Sequence, residues 1–289
     1  MQSIKTIYKI GPGPSSSHTF GPMMASKYIN EQYPEATNFK ITLFGSLALT
    51  GKGHLTDKII LKTLGTSKCE IIFDMKTPVE HPNTMIIEVF DKDTKIAKHT
   101  FVSIGGGKIE IDGKKGNVDP EIYPHTKMDD IQVYCNERHL RLDQYIDEVE
   151  DSDFDSYMNQ IFKQMLKTVN TGLKKTGVLP GSLKIDRVAH ALHQSAQSCS
   201  DIQDKNSLLL SSYAYAANEQ NASGGIVVTA PTMGSCGVLP SLVYHFYHDQ
   251  KYPKKTIIQG LKVAGLIGNL IQTNATISGA KAGCQAEVG

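Results

Sequence analysis

Apolar and polar residues alternate in one half of this chain and recur at helical spacing in the other. In Phe39-Lys40-Ile41-Thr42-Leu43 every second residue is apolar, as in a strand with one buried face. The same pattern predicts strands at Ile71 to Phe73, Met85 to Phe90 and Ile96 to Val102. Helices are predicted over 21–32 and 56–64, and Gly105-Gly106-Gly107 gives a turn or close backbone approach before a last short strand. Past about residue 136 the alternation stops. Phe154, Met158, Ile161, Met165, Val169 and Leu173 then mark one face of a long helix. Further helices are predicted over 183–197, 205–219, 237–248 and 254–272. Between the halves, 113–136 gathers glycine, proline and charge and reads as a linker. The fold class expected is α+β. An α/β, sandwich-like domain over 1–136 precedes an incomplete all-helical domain over 137–289.

A length of 289 residues suits two domains. The formal net charge is +1 and there is no basic stripe with interleaved aromatics, which argues against a nucleic-acid partner. The first residues, MQSIKTIYKI, do not resemble a signal peptide. The longest apolar stretch, 256–271, is interrupted by Gln259, Lys262 and Asn269, so no membrane span is expected. Five scattered cysteines (69, 135, 199, 236 and 284) point to reduced thiols in a cytoplasmic setting.

Candidate chemistry lies in four loops. Gly11-Pro12-Gly13-Pro14-Ser15-Ser16-Ser17-His18-Thr19 precedes a helix starting near Gly21 or Pro22. Its hydroxyls and backbone N–H groups can receive an anionic group, and His18 can act as acid, base or donor. The alternative is a capped turn that satisfies only itself. In Gly51-Lys52-Gly53-His54-Leu55-Thr56-Asp57, Lys52 and His54 could face a carboxylate. Taken alone, the pattern favours a plain turn with Thr56 as N-cap. Cys236 and Cys284 each sit among small residues, in NASGGIVVTAPTMGSCGVLP (221–240) and SGAKAGCQ (278–285). Such loops allow close approach to a metal cluster, although pattern alone favours ordinary buried cysteines.

Taken together, GPGPSSSHTFGPM (11–23), GSLALTGKGHLTD (45–57), HPNTM (81–85), APTMGSCGVLP (230–240) and SGAKAGCQAEVG (278–289) resemble the bacterial-type iron–sulfur L-serine dehydratases. KKTGVLPGSL (174–183) and NEQNASGG (218–225) are similar to segments of that family's α domain. The resemblance spans nearly the whole chain. It implies an α/β domain, a helical domain and an active site in the cleft between them. It also implies deamination of L-serine to pyruvate and ammonia by a [4Fe–4S] cluster acting as a Lewis acid, a step in amino-acid catabolism. Three cysteines hold that cluster. Matched by motif, Cys236 and Cys284 are two of them. Ser15, Ser16, Ser17, Thr19 and Lys52 are expected to bind substrate, with His18 and His54 as candidates for the base. A homodimer is the expected assembly.

Two departures accompany the resemblance. The family's third cluster cysteine is expected beyond Gly289, so residues 1–289 alone are expected to bind no stable, active cluster. Lys281 stands where the family usually carries an acidic residue. The contrasting hypothesis is a non-catalytic amino-acid-binding protein. A Ser17–His18 hydrolase ranks far behind, since no G-x-S-x-G elbow is present. A pyridoxal enzyme using Lys281 lacks a glycine-rich phosphate cup.

Overall fold

The computed structural model describes residues 1–115, 119–181, 183–275 and 283–288. The chain starts in one compact unit, leaves it for a second, and then returns. Met1–Gly13 and the chain from Asp119 onward, with Cys284 and its followers, form the helical unit. Pro14 through Lys115 belong to the sheet unit. The first residues are anchored by burial: Ile4, Ile7 and Tyr8 lose nearly all contact with solvent. The Tyr8 hydroxyl donates to the Leu261 carbonyl at 2.8 Å. Strand β1 (Ile10–Pro12) pairs antiparallel with Ile226–Val228. The units therefore part after Gly13 and again before Asp119, instead of once after residue 136.

In the sheet unit, β2 (Asn38–Phe44) runs parallel to β3 (Cys69–Asp74) and antiparallel to β4 (Thr84–Asp91). The sheet continues through β5 (Thr94–Gly105), β6 (Lys108–Ile111) and β7 (Lys114–Lys115), in the order β3-β2-β4-β5-β6-β7. Leu43, Met85 and Phe101 stand in register across three strands, and all are buried. Burying each such side chain contributes about 1.5–3 kcal/mol. Helix α1 (Gly21–Gln32) packs over β5 and β6, burying Ala25 and Ile29. A parallel pair needs a crossover, and here α2 (Gly45–Thr50) and α3 (Thr56–Leu64) supply it between β2 and β3. These elements match the predicted strands and helices closely.

The helical unit contains α4 (Met128–Arg138), α5 (Leu142–Val149), α6 (Phe154–Gly172), α7 (Ala189–Ser198) and α8 (Ile202–Ala222). Strand β8 (Ile226–Val228) follows, then α9 (Val238–Tyr244), α10 (Lys254–Asn274) and the short α11 (Gln285–Val288). Met158, Ile161, Phe162 and Met165 of α6 share one core with Ile4, Ile7 and Tyr8 and with Leu261 and Leu266 of α10. The polar residues that interrupt α10 are all paired. Gln259 donates to Asp143, Lys262 bridges Asp147 and Asp155, and Asn269 donates to the Gln2 carbonyl. Among the described residues no helix is long and apolar enough to cross a membrane.

Two expectations are corrected. The linker over 113–136 already contains α4, whose Ile131 and Cys135 are buried. The helix expected over 183–197 begins only at Ala189, because the chain before it folds back on itself. There Leu179 N–H donates to the Ile185 carbonyl and Arg187 N–H to the Gly177 carbonyl, each at 2.8 Å. Leu183 and Ile185 are apolar but find no core, being 80% and 53% exposed. The C-terminal half is helical as expected, with one short strand, β8, that gives β1 its partner. Lys281 and the loop over 278–282 lie outside the described residues.

Candidate functional site

Two clusters carry the polar residues singled out above, one in each unit. In the sheet unit, Ser15 is extended and its Oγ accepts the His18 N–H at 3.1 Å. This opens a π-helical turn, Ser16–Phe20, that runs directly into α1. Such turns widen the helix and often occur at functional sites. The turn buries His18 between two hydroxyls: Ser17 Oγ lies 2.9 Å from Nδ1 and Ser46 Oγ 2.8 Å from Nε2. Burial, and then the nearby charge of His54, lower the His18 pKa to about 4. The ring is therefore neutral at pH 7, with one hydroxyl accepting from it and the other donating to it.

The second loop is tied to the first by a crossed pair of hydrogen bonds. Thr19 Oγ1 donates to the His54 carbonyl at 2.6 Å, and Thr56 Oγ1 donates to the His18 carbonyl. Thr56 thus braces the other loop, and Leu55 occupies the cap position of α3. The His18 and His54 ring centroids lie 4.7 Å apart. His54 Nδ1 is 3.1 Å from the Thr50 carbonyl. A carbonyl only accepts, so Nδ1 carries the hydrogen and Nε2 holds the lone pair of the neutral ring. Ser16 is buried within the turn. Lys52 is exposed, with its ammonium 5.3 Å from the centroid of Phe73.

In the helical unit, the loop after β8 leads to Cys236, which is fully buried. Its Sγ donates to Asn218 Oδ1 at 3.6 Å, and burial pushes its thiol up to about 12. Cys284 reaches the same loop: a Cβ placed on Gly234 would lie only 2.8 Å from the Cys284 sulfur. The Glu287 carboxylate, one turn further on, accepts hydrogen bonds from Thr232 and Ser235. Asn221 Nδ2 donates to the Met233 carbonyl at 3.1 Å. The segments over 218–225, 230–240 and 284–288 are therefore assembled as one site. Cys135 lies in the hydrophobic core and Cys199 bonds to the Asp201 carbonyl. Among the described residues no three His, Cys, Asp or Glu side chains are grouped to hold a metal ion.

Ser46, Asn218 and Glu287 were not named from sequence. Ser46 lies inside the quoted motif GSLALTGKGHLTD, and that was its only signal. Its bond to a histidine 28 residues away has no local signature.

The family model described as serine dehydratase alpha chain matches residues 55–289, and that of serine dehydratase beta chain matches residues 3–72. The chain belongs to the serine dehydratase family. It is 31% identical to the L-serine dehydratase of Haemophilus influenzae, with 100% of this chain and 76% of that protein covered. L-serine dehydratase 2 of Escherichia coli is 33% identical over 100% of this chain and 76% of its own length. The L-serine dehydratase of Helicobacter pylori is 33% identical over 99% and 75%.

Proposed function

We propose that the protein deaminates L-serine to pyruvate and ammonia, with a [4Fe–4S] cluster held in part by Cys236 and Cys284. The observation that carries this reading is the packing of the Cys284 sulfur on Gly234, two residues before Cys236. The relatives' names support the deamination of L-serine. The donors fit such a group, because Cys236 stands in, and the Cys284 sulfur packs against, a loop built from small residues, Gly234, Ser235 and Gly237. They account for two of the three thiolates that the family likeness implies. When bound, a cluster with one iron free of thiolate supplies a Lewis acid for the departing hydroxyl.

The remaining work falls to side chains of this chain. Cys236 is a protonated thiol and must release its proton to become a ligand, so metal uptake is coupled to pH. Ser15, Ser16, Ser17, Thr19 and Lys52 bind and orient the substrate carboxylate. His54 takes the α-hydrogen at Nε2, because its Nδ1 hydrogen is engaged by the Thr50 carbonyl. His18 stays neutral and fixes the Ser17 and Ser46 hydroxyls. Loss of the α-hydrogen and the hydroxyl, together one water, leaves aminoacrylate. Its imine tautomer takes up water to give pyruvate and ammonia, so no oxidant or reductant is needed. The cytoplasm and a homodimer complete the reading.

The test uses the full-length protein reconstituted anaerobically with iron and sulfide. L-Serine should yield pyruvate, with a primary isotope effect on α-deuterated serine. His54→Gln should lower the rate by about 10²–10⁴-fold, the usual contribution of a positioned base, while serine still binds. Serine binding without pyruvate in the wild type would instead support a non-catalytic amino-acid-binding protein. Full activity in His54→Gln would overturn the base assignment.

A further inference from the structure

Helix α11 is a single turn directly after Cys284, too short to hold its own position in water. Its main polar tie to the rest of the unit is the Glu287 carboxylate. Oε1 accepts from the Thr232 N–H at 3.1 Å, from Ser235 Oγ at 2.9 Å and from Thr232 Oγ1. Thr232 and Ser235 are themselves buried, so their donors need an acceptor. For the Ser235 hydroxyl, Glu287 is the nearest of three acceptors, the Ala230 and Thr232 carbonyls both lying at 3.2 Å. Bonds to an ionised carboxylate are stronger than neutral ones. The other oxygen, Oε2, is buried and has no hydrogen-bond partner among the described residues.

All three donors lie within five residues of Cys236, on the loop where Gly234 meets the Cys284 sulfur. We infer that Glu287 is a positioning residue that clamps Cys284 onto the Cys236 loop, so that both thiols are presented together before any metal arrives. The inference deepens the reading of these cysteines as cluster ligands and rests on it, but its test needs no cluster. Gln can place its carbonyl oxygen where Oε1 accepts and its amide nitrogen where Oε2 stands without a partner. Ala removes the clamp altogether.

The experiment alkylates the reduced, metal-free protein with N-ethylmaleimide and follows each cysteine by peptide mass spectrometry. Losing the clamp should expose Cys284 by local opening. Its modification in Glu287→Ala should then be faster on the order of tenfold, as loss of a charged hydrogen bond implies. Glu287→Gln should fall between wild type and Glu287→Ala, since a weaker, neutral acceptor remains. Ser235→Ala, which removes one donor from the opposite side, should give a smaller increase in the same direction. Cys69 and Cys199 serve as folding controls, and their rates should not change. Equal Cys284 rates in wild type and Glu287→Ala would overturn the inference, as would Gln behaving like Ala. Should Glu287→Ala expose the control cysteines as well, an unchanged rate in Ser235→Ala would overturn it instead. If the wild type takes up no iron, the cluster reading fails while the alkylation result stands.

Discussion

The His18 network closes on itself, whereas the Cys236 loop leaves groups unmatched. In the sheet unit both nitrogens of His18 meet hydroxyls, and crossed threonine bonds lock its loop to that of His54. In the helical unit, among the described residues, the Cys236 thiol has one long contact with Asn218, and Glu287 Oε2 has no partner. A closed network keeps its geometry without a ligand, which is how preorganisation lowers the cost of binding and reaction. An open one stores unsatisfied donors and acceptors that favour whatever completes it. The first region is thus suited to receiving a small substrate and the second to being finished by an added group.

The largest stability effect expected from this contrast is in its dependence on pH. The folded state lowers the His18 pKa to about 4, against about 6.5 for an unperturbed histidine. Below pH 6.5 the unfolded chain therefore takes up the proton more readily than the folded one. The stability tied to neutral His18 is complete above pH 6.5 and is lost as pH falls toward 4. The loss is on the order of 3 kcal/mol. Urea unfolding of wild type and His18→Asn between pH 7 and pH 4.5 isolates this contribution, and the variant should show a shallower slope. Parallel slopes would mean that burial beside His54 does not keep the ring neutral.

A smaller effect compares two close-packed glycines, one in each region. A Cβ on Gly21 would lie 2.0 Å from Ser103 Oγ and 2.8 Å from Ser103 Cβ, so rotating the hydroxyl away does not relieve the clash. Gly21→Ala should cost about 1–3 kcal/mol, the usual range for overpacking. Gly234→Ala meets the Cys284 side chain on a one-turn helix that can yield. It should lower the thermal midpoint less than Gly21→Ala and loosen Cys284 instead. Paired thermal melts check the order, and the reverse order would contradict the contrast between a rigid and an open region.

Much of this architecture was legible in the sequence, for identifiable reasons. The alternation in 39–43 and the Gly-Pro start at 21–22 mark elements whose causes are local, and β2 and α1 follow them. Helix α4 was missed because its apolar residues do not line one face, Ile131 and Cys135 being buried and Val133 exposed, and because it follows a stretch rich in proline and charge. The placement of residues 1–13 had no local cause either, since β1 finds its partner only at Ile226–Val228. The site divides in the same way. Its loops were visible as runs of small, hydroxylated residues with His18, His54, Cys236 and Cys284. The contacts that organise them, Ser46 with His18 and Glu287 with Ser235, join residues far apart in the chain. No window of sequence contains both partners.

The most direct measurement is the iron content and the absorbance near 400 nm, roughly where iron–sulfur charge transfer appears, of the full-length protein after anaerobic reconstitution. Wild type should be compared with Cys236→Ser, Cys284→Ser and the control Cys199→Ser. The account predicts that the first two variants lose both signals while the control keeps them. Full iron and absorbance in Cys236→Ser or Cys284→Ser, or an equal loss in the control, would contradict it.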